Sequence, residues 1–245
     1  MIELDKIYNG DCLELMKDIP DGSVDMICCD LPYGTTRNTW DSVIPMEPLW
    51  EQYLRVTKRN AAIVLFSQQP FTSALVMSNP RLFRYEWIWQ KEQGTGFLNA
   101  HRMPLKEHEN ILVFYRELPV YNPVMRKGKP YKSMSGGKSD NYEKYHRVPI
   151  DNKGERFPSS VLYFQHDKEK THPTQKPVNV IRYLIQTYTN KGDVVLDSCS
   201  GSGSTAIACI RENRHFIGME LDERYWNMAC ERIEKERSQL TLGLW

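Results

Sequence analysis

No run of the chain approaches about 20 consecutive apolar residues, so no segment is expected to cross a membrane as a helix. The first residues, Met1-Ile2-Glu3-Leu4-Asp5, lack the basic and apolar regions of a secretory signal, and the expectation is a soluble, cytoplasmic protein. The cysteines at 12, 28, 29, 199, 209 and 230 form no Cys-x-x-Cys pair, and three of them sit in strongly apolar runs. Thiols packed in a core are expected ahead of disulfides or a zinc site. The histidines show no metal-ligand spacing, so no metal is expected and no histidine is given a catalytic role. Gly-x-x-x-x-Gly-Lys-Ser/Thr is missing, which excludes a P-loop. Internal repeats and heptads are missing too. The net charge is only +1, which by itself argues for no polyanionic partner, but its distribution is uneven. Between Arg116 and Arg156 ten Lys/Arg stand against five Asp/Glu, a local +5.

What is present suits a folded domain: 245 residues, 40% hydrophobic and 26% charged, enough for one main globular domain with an insertion. Three short apolar runs end in a carboxylate followed by turn formers, and read as buried parallel strands: Val24 to Asp30, Val194 to Asp197, and Phe216 to Glu220. Ala61 to Phe66 reads as a fourth. Helical spacing places Val178, Ile181, Leu184, Ile185 and Tyr188 on one face. Another face holds Tyr225, Trp226, Ala229 and Ile233 after an Asp222 N-cap. Tyr85, Trp87 and Trp89 alternate as on a strand and are expected in the core or an interface; Asn110 to Phe114 is expected to pack the sheet. Strands and helices in turn predict an α/β fold around a mostly parallel sheet. In such sheets ligands bind beyond the carboxyl ends of the strands, where Asp30, Asp197 and Glu220 would gather. From about 119 to 167 the pattern breaks, with Gly136-Gly137, several prolines and no sustained apolar period, and reads as an irregular insertion or a solvated excursion.

Two turns carry chemistry. Asp197-Ser-Cys-Ser-Gly201-Ser-Gly203-Ser204-Thr-Ala206 follows a strand and opens a helix, so its backbone N–H groups can approach a ligand closely. The run also satisfies the dinucleotide pattern Gly-x-Gly-x-x-Ala. Only 42 residues follow Gly203, however, too few to build a dinucleotide-binding sheet from its first strand. A tight turn without a ligand stays open as the plain reading. Asp30-Leu31-Pro32-Tyr33-Gly34 ends another strand and groups a carboxylate, a main-chain carbonyl and an aromatic ring. That set suits the exocyclic amino group of a nucleobase: Asp30 and the Leu31 carbonyl accept its N–H bonds, freeing the nitrogen lone pair, while Tyr33 stacks on the base.

Asp30-Leu31-Pro32-Tyr33 resembles the Asp-Pro-Pro-Tyr motif of amino-group DNA methyltransferases. Asp197 to Gly203 resembles their S-adenosylmethionine motif, and His172-Pro-Thr-Gln-Lys-Pro177 a third hallmark. The tetrad precedes the cofactor motif by 167 residues, the circularly permuted order of the β group, which includes phage and restriction-modification enzymes. The resemblance implies a Rossmann-like class I methyltransferase fold. Its catalytic half would be 1–118, its target-recognition insertion 119–167 and its cofactor-binding half 168–245.

It further implies that Asp197, Ser198, Gly201, Gly203 and Ser204 surround the methionine and ribose of S-adenosylmethionine, that Glu220 accepts the ribose hydroxyls, and that Asp11 and Cys12 flank its adenine. Thr174 and Lys176 would meet its carboxylate end, and Asp30 would border both cofactor and target. The implied reaction is methyl transfer to N6 of a flipped-out adenine in double-stranded DNA. N4-cytosine methylation is the rival, an activity that more often carries Ser at the position of Asp30. Methylation of RNA or of a protein glutamine amide fits less well, and a lapsed DNA-binding module is opposed by the intact Asp30, Tyr33 and Gly203. No Pro-Cys dipeptide of the C5-cytosine enzymes occurs. Arg126, Lys127, Lys129 and Lys132 are the expected phosphate contacts, and Arg37 would brace the flipped strand. A homodimer and a cognate restriction enzyme are expectations by analogy. Leu31 in place of proline, and Ser198-Cys199 in place of Pro-Phe, depart from the family pattern.

Overall fold

The computed structural model describes residues 2–34, 42–135, 148–167 and 175–241. In chain order the strands are β1 (Lys6–Asn9), β2 (Val24–Asp30), β3 (Thr57–Ser67), β4 (Phe83–Thr95), β5 (Lys106–Phe114), β6 (Arg126–Lys127), β7 (Tyr131–Ser135), β8 (Val148–Asn152), β9 (Glu155–Arg156), β10 (Val161–Tyr163), β11 (Val194–Asp197) and β12 (His215–Glu220). The helices are α1 (Cys12–Leu15), α2 (Met46–Val56), α3 (Phe71–Ser78), α4 (Val178–Tyr188), α5 (Ser204–Glu212) and α6 (Glu223–Thr241). Among the described residues, no helix is long and apolar enough to cross a membrane.

The chain forms two compact units. The larger comprises residues 1–122 and 160–245, the smaller 123–159. Eight strands of the larger unit make one sheet in the order β1-β12-β11-β2-β3-β5-β4-β10. The pairs from β1 through β3 are parallel, β3/β5 and β5/β4 are antiparallel, and β10 returns parallel to β4. This is the expected α/β architecture around a mostly parallel sheet, with helices on both faces. Alternation along the strands divides the core accordingly. Met26, Cys28, Val64, Phe66, Ile111 and Val113 face α4, α5 and α6. Ile27, Cys29, Ile63, Leu65, Leu112 and Phe114 face α1, α2 and α3.

The expected helices form for the expected reasons. Val178, Ile181, Leu184, Ile185 and Tyr188 are all buried on α4. Asp222 Oδ1 accepts from the Arg224 N–H at 2.9 Å, capping the start of α6. Helix α5 ends where Asn213 turns left-handed at φ +57°. Trp87 and Trp89 of β4 are core residues. Val161–Tyr163 lie inside the stretch read as the insertion, yet they form an edge strand of the large sheet, with Leu162 buried beside Trp89. The smaller unit holds two short ribbons, β6/β9 and β7/β8. Within it Arg156 stacks over Tyr131, 4.5 Å from the ring centre.

At the centre of β12, Gly218 lies beside Ile7 of β1 and Asp197 of β11. A methyl group there would come within 2.6 Å of Ile7 Cγ1 and 2.7 Å of Ser200 Oγ. Its absence lets Ser200 seat the glycine-rich turn on the strand, accepting from the Met219 N–H at 3.1 Å. Gly218→Ala should therefore cost roughly 1–3 kcal/mol by overpacking, seen as a lower urea midpoint at unchanged slope.

Candidate active site

β2 and β11 are neighbours from which the chain leaves in opposite directions, β2 through α2 to β3 and β11 through α5 to β12. Parallel sheets open a crevice at such a switch point, beyond the carboxyl ends of the strands. A cavity of about 540 Å³ lies there, within the usual range for a small-molecule site. Asp30 to Tyr33, Asp197 to Ser202, and Glu220 all line it. The two turns that lie 167 residues apart in the chain thus share one cavity.

Around Asp30 the polar contacts are dense. Tyr33 donates its hydroxyl to Asp30 Oδ1 at 2.7 Å, and Lys176 donates to Oδ2 at 2.6 Å. Lys176 also faces Glu109 Oε2 at 3.2 Å, and Lys91 pairs with Glu109 Oε1 at 2.6 Å. The result is an alternating row, Asp30, Lys176, Glu109, Lys91, in which the two lysines and Glu109 are almost wholly buried. Burial works against the charge on Lys176, but Asp30 and Glu109 raise its pKa above that of an ordinary lysine. Burial would likewise raise Glu109, yet the two lysines bring it below the usual range. For Asp30 burial prevails over Lys176, and the nearby Glu109 adds to it, so this carboxyl is raised. The Tyr33 ring is backed by Phe71 of α3, with ring centres 5.3 Å apart and planes at 28°.

The glycine-rich turn is braced from below. Asp197 Oδ1 accepts from the Cys199 N–H at 3.2 Å, and Ser200 Oγ donates to the Asp197 carbonyl. The Glu220 carboxylate accepts from the N–H of Gly201 at 2.7 Å and of Asp222 at 2.9 Å, one on each oxygen. Gly201 is left-handed at φ +51°, and a Cβ there would point into open space. Gly203, at φ +77°, does not line the cavity; a Cβ would meet Ala229 of α6 at 3.2 Å, so this glycine lets turn and helix pack closely. Ser198 and Ser204 line the cavity with their hydroxyls engaged elsewhere: Ser198 with Tyr53 at 2.6 Å, Ser204 with Arg232 at 3.1 Å. Asp11 caps α1 through the Leu13 N–H at 2.7 Å, and both it and the buried Cys12 reach the cavity wall.

These residues fit S-adenosylmethionine. Each Glu220 oxygen has lone-pair capacity beyond the N–H it accepts, as diol recognition needs. The open space at Gly201 admits a ligand against the main chain.

Thr174 and Arg37 lie outside the described residues. Arg126, Lys127, Lys129 and Lys132 are exposed in the smaller unit. Lys91 and Glu109 are the site residues that the sequence reading missed. Both carried a signal: Lys91 continues the parity of Tyr85, Trp87 and Trp89, and Glu109 that of Ile111 and Val113. Two opposite charges therefore lie on the buried face of adjacent strands.

Asp197 gives a test by pH. Burial raises its carboxyl from 3.8 to about 6, so the folded chain holds this proton more tightly than the unfolded chain. Its contribution to stability is full below about pH 4 and is lost as the pH rises through about 6. Asp197→Asn should remove this dependence and gain on the order of 2–3 kcal/mol relative to the parent between those limits. Chemical denaturation of both proteins across pH 4–7 checks it.

Residues 24–231 match the N6/N4 DNA methylase family. The Type II methyltransferase M.BglII of Bacillus subtilis is 28% identical over 255 aligned positions, spanning 95% of this chain and 70% of that protein. The crystal structure of the M1.HpyAVI–SAM complex is similar at a TM-score of 0.64 and 25% identity, covering 93% of this chain and 98% of the other. That of PvuII DNA methyltransferase, cytosine-N4-specific, has a TM-score of 0.66 at 14% identity, with 95% and 91% covered; here the likeness is one of fold. The chain therefore belongs to the N6/N4 DNA methylase family, DNA methyltransferases that use S-adenosylmethionine.

Proposed function

We propose that this chain is a permuted, β-group enzyme that methylates N6 of adenine at a specific sequence in double-stranded DNA. The observation that carries this reading is the single cavity lined both by Asp30 to Tyr33 and by Asp197, Gly201 and Glu220. The target base is out of reach inside a duplex and must be turned into the cavity. There Asp30 and the Leu31 carbonyl accept the two hydrogens of its amino group, and Pro32 stiffens the turn that presents them. Each Asp30 oxygen already accepts one bond, from Tyr33 or Lys176, and each has capacity for another. These two donors fix the carboxylate, and Tyr33, braced by Phe71, offers its ring to the base. The same acceptors localise the nitrogen lone pair and align it, the main catalytic resource for an in-line displacement.

Glu220 and the glycine-rich turn would hold S-adenosylmethionine, whose sulfonium methyl would pass to the amino nitrogen as its S–C bond breaks and the sulfur leaves as a neutral thioether. Glu220 holds the ribose hydroxyls, Asp11 and Cys12 flank the adenine, and Asp197, Ser198, Gly203 and Ser204 shape the turn. Thr174 and Lys176 belong to the carboxylate end. After transfer the substituted nitrogen carries a surplus proton, and Asp30 Oδ2 or Oδ1, made more basic by burial, receives it. Adenine is preferred to cytosine because position 30 is Asp. Within the stretch 119–167, residues 123–159, the smaller unit, are the proposed DNA reader, with Arg126, Lys127, Lys129 and Lys132 neutralising phosphates and Arg37 bracing the strand. A homodimer and a restriction nuclease of matching specificity complete the reading.

Incubation with labelled S-adenosylmethionine and unmethylated DNA should place label in N6-methyladenine. Asp30→Ala should cut transfer at least about 100-fold while S-adenosylmethionine binding stays within a few fold. Label in N4-methylcytosine or in RNA alone, or a fully active variant, would contradict it.

A further inference from the structure

The hairpin between β4 and β5 ends in an exposed apolar group. Leu98 is 101% exposed, Phe97 68% and Met103 50%. Apolar tips of this kind mark a surface that meets something. The tip is also shaped rather than loose. Gly96 is left-handed at φ +95°, and the N–H groups of Asn99, Ala100, Arg102 and Met103 are bonded to carbonyls three or four residues back. In the stem a Cβ on Gly94 would stand 2.8 Å from Leu105 Cβ, so the two arms pack closely.

Place and charge identify the occupant. Thr95, one arm of the hairpin, lines the cavity that holds Asp30, and Leu98 is three residues further on, within about 10 Å along the chain. On the other arm Lys106 reaches Gln68, a second lining residue, at 3.4 Å. From Gly94 to Lys106 the sequence has no Asp or Glu, but it has His101, Arg102 and Lys106. Two bulky apolar side chains close in sequence to Arg102 and Lys106, at the rim of the cavity that Asp30 lines, match a polyanion whose interior is a stack of apolar faces. A lipid surface or a protein partner would account for the apolar pair, but not for its seat beside the cavity.

We infer that Phe97 and Leu98 form a wedge that enters the DNA duplex next to the target base and fills the gap it leaves. Side chains of this type inserted at a base step unstack it and lower the cost of extrusion. His101 and Arg102 then lie toward the phosphates of the opened step. The inference rests on the DNA-adenine reading above and extends it to the residues that drive the base out.

The test uses the full chain and a synthetic duplex carrying the site that it marks in unmethylated plasmid DNA. Single-turnover transfer is measured on the normal duplex and on one with an abasic residue opposite the target adenine, where extrusion is already largely paid. Leu98→Ala and the double variant with Phe97→Ala should slow transfer roughly 10- to 100-fold on the paired duplex. On the abasic duplex they should fall within about twofold of the parent, with S-adenosylmethionine affinity unchanged. Leu98→Met, which keeps the bulk, should stay near the parent rate on both. An equal loss on both duplexes would make the tip a general DNA contact and overturn the wedge, and so would no loss on either. A parent chain that marks no adenine would instead overturn the underlying reading, and the wedge with it.

Discussion

Lys176 is a lysine nearly cut off from water, held between carboxylates from two different strands, Asp30 on β2 and Glu109 on β5. An ammonium ion in that position is costly by itself, and removing one partner of such a pair is more damaging than replacing the whole set with apolar groups. The structure answers the cost by alternation. Lys91 closes the far end on Glu109, so two cations and two anions stand in a row with no surplus charge. That row spans β4, β5, the segment leading into α4, and β2, and it sets where the carboxylate of Asp30 points. Tyr33 holds the other oxygen of the same group. The acceptor at the centre of the proposed chemistry is therefore fixed before any substrate arrives, which is where an enzyme that relies on alignment gains most.

The topology makes this convergence possible. Five adjacent parallel strands, β1, β12, β11, β2 and β3, end at the same edge, and the chain departs in opposite directions from β11 and β2. Asp30 and Asp197, at the tips of the two strands, therefore line the same crevice, however far apart they lie in sequence. The antiparallel β4 and β5 bring the buried Lys91 and Glu109 to that edge from the other side, and their connection carries the exposed Phe97 and Leu98 beyond it. Strand order in space, rather than order along the chain, decides which tips meet.

The legible parts of the fold were those written in local chemistry. Short apolar runs closing on Asp30, Asp197 and Glu220 marked three parallel strands. The spacing of Val178, Ile181 and Leu184 marked α4, and Asp222 marked the start of α6. Glycines at a strand-to-helix junction marked the turn, although Gly203 packs against Ala229 while Gly201 lines the cavity. What stayed hidden depends on partners distant in the chain. Val161-Leu162-Tyr163 is too short for alternation to declare it a strand, and it joins the sheet because β4 offers an unpaired edge. Lys91 and Glu109 were legible only as a pair. Each alone resembles a solvated charge on a strand, and only the pairing of Trp89 with Glu109 shows that both lie on the buried face.

The most direct test of the shared cavity is a crystal structure with an S-adenosylmethionine analogue that bears an amine in place of the sulfonium methyl. The ribose is expected against Glu220, the adenine beside Asp11 and Cys12, and the amine turned toward the side of the cavity that holds Asp30 and Tyr33. An analogue bound elsewhere, or one whose amine faces away from Asp30, would contradict it.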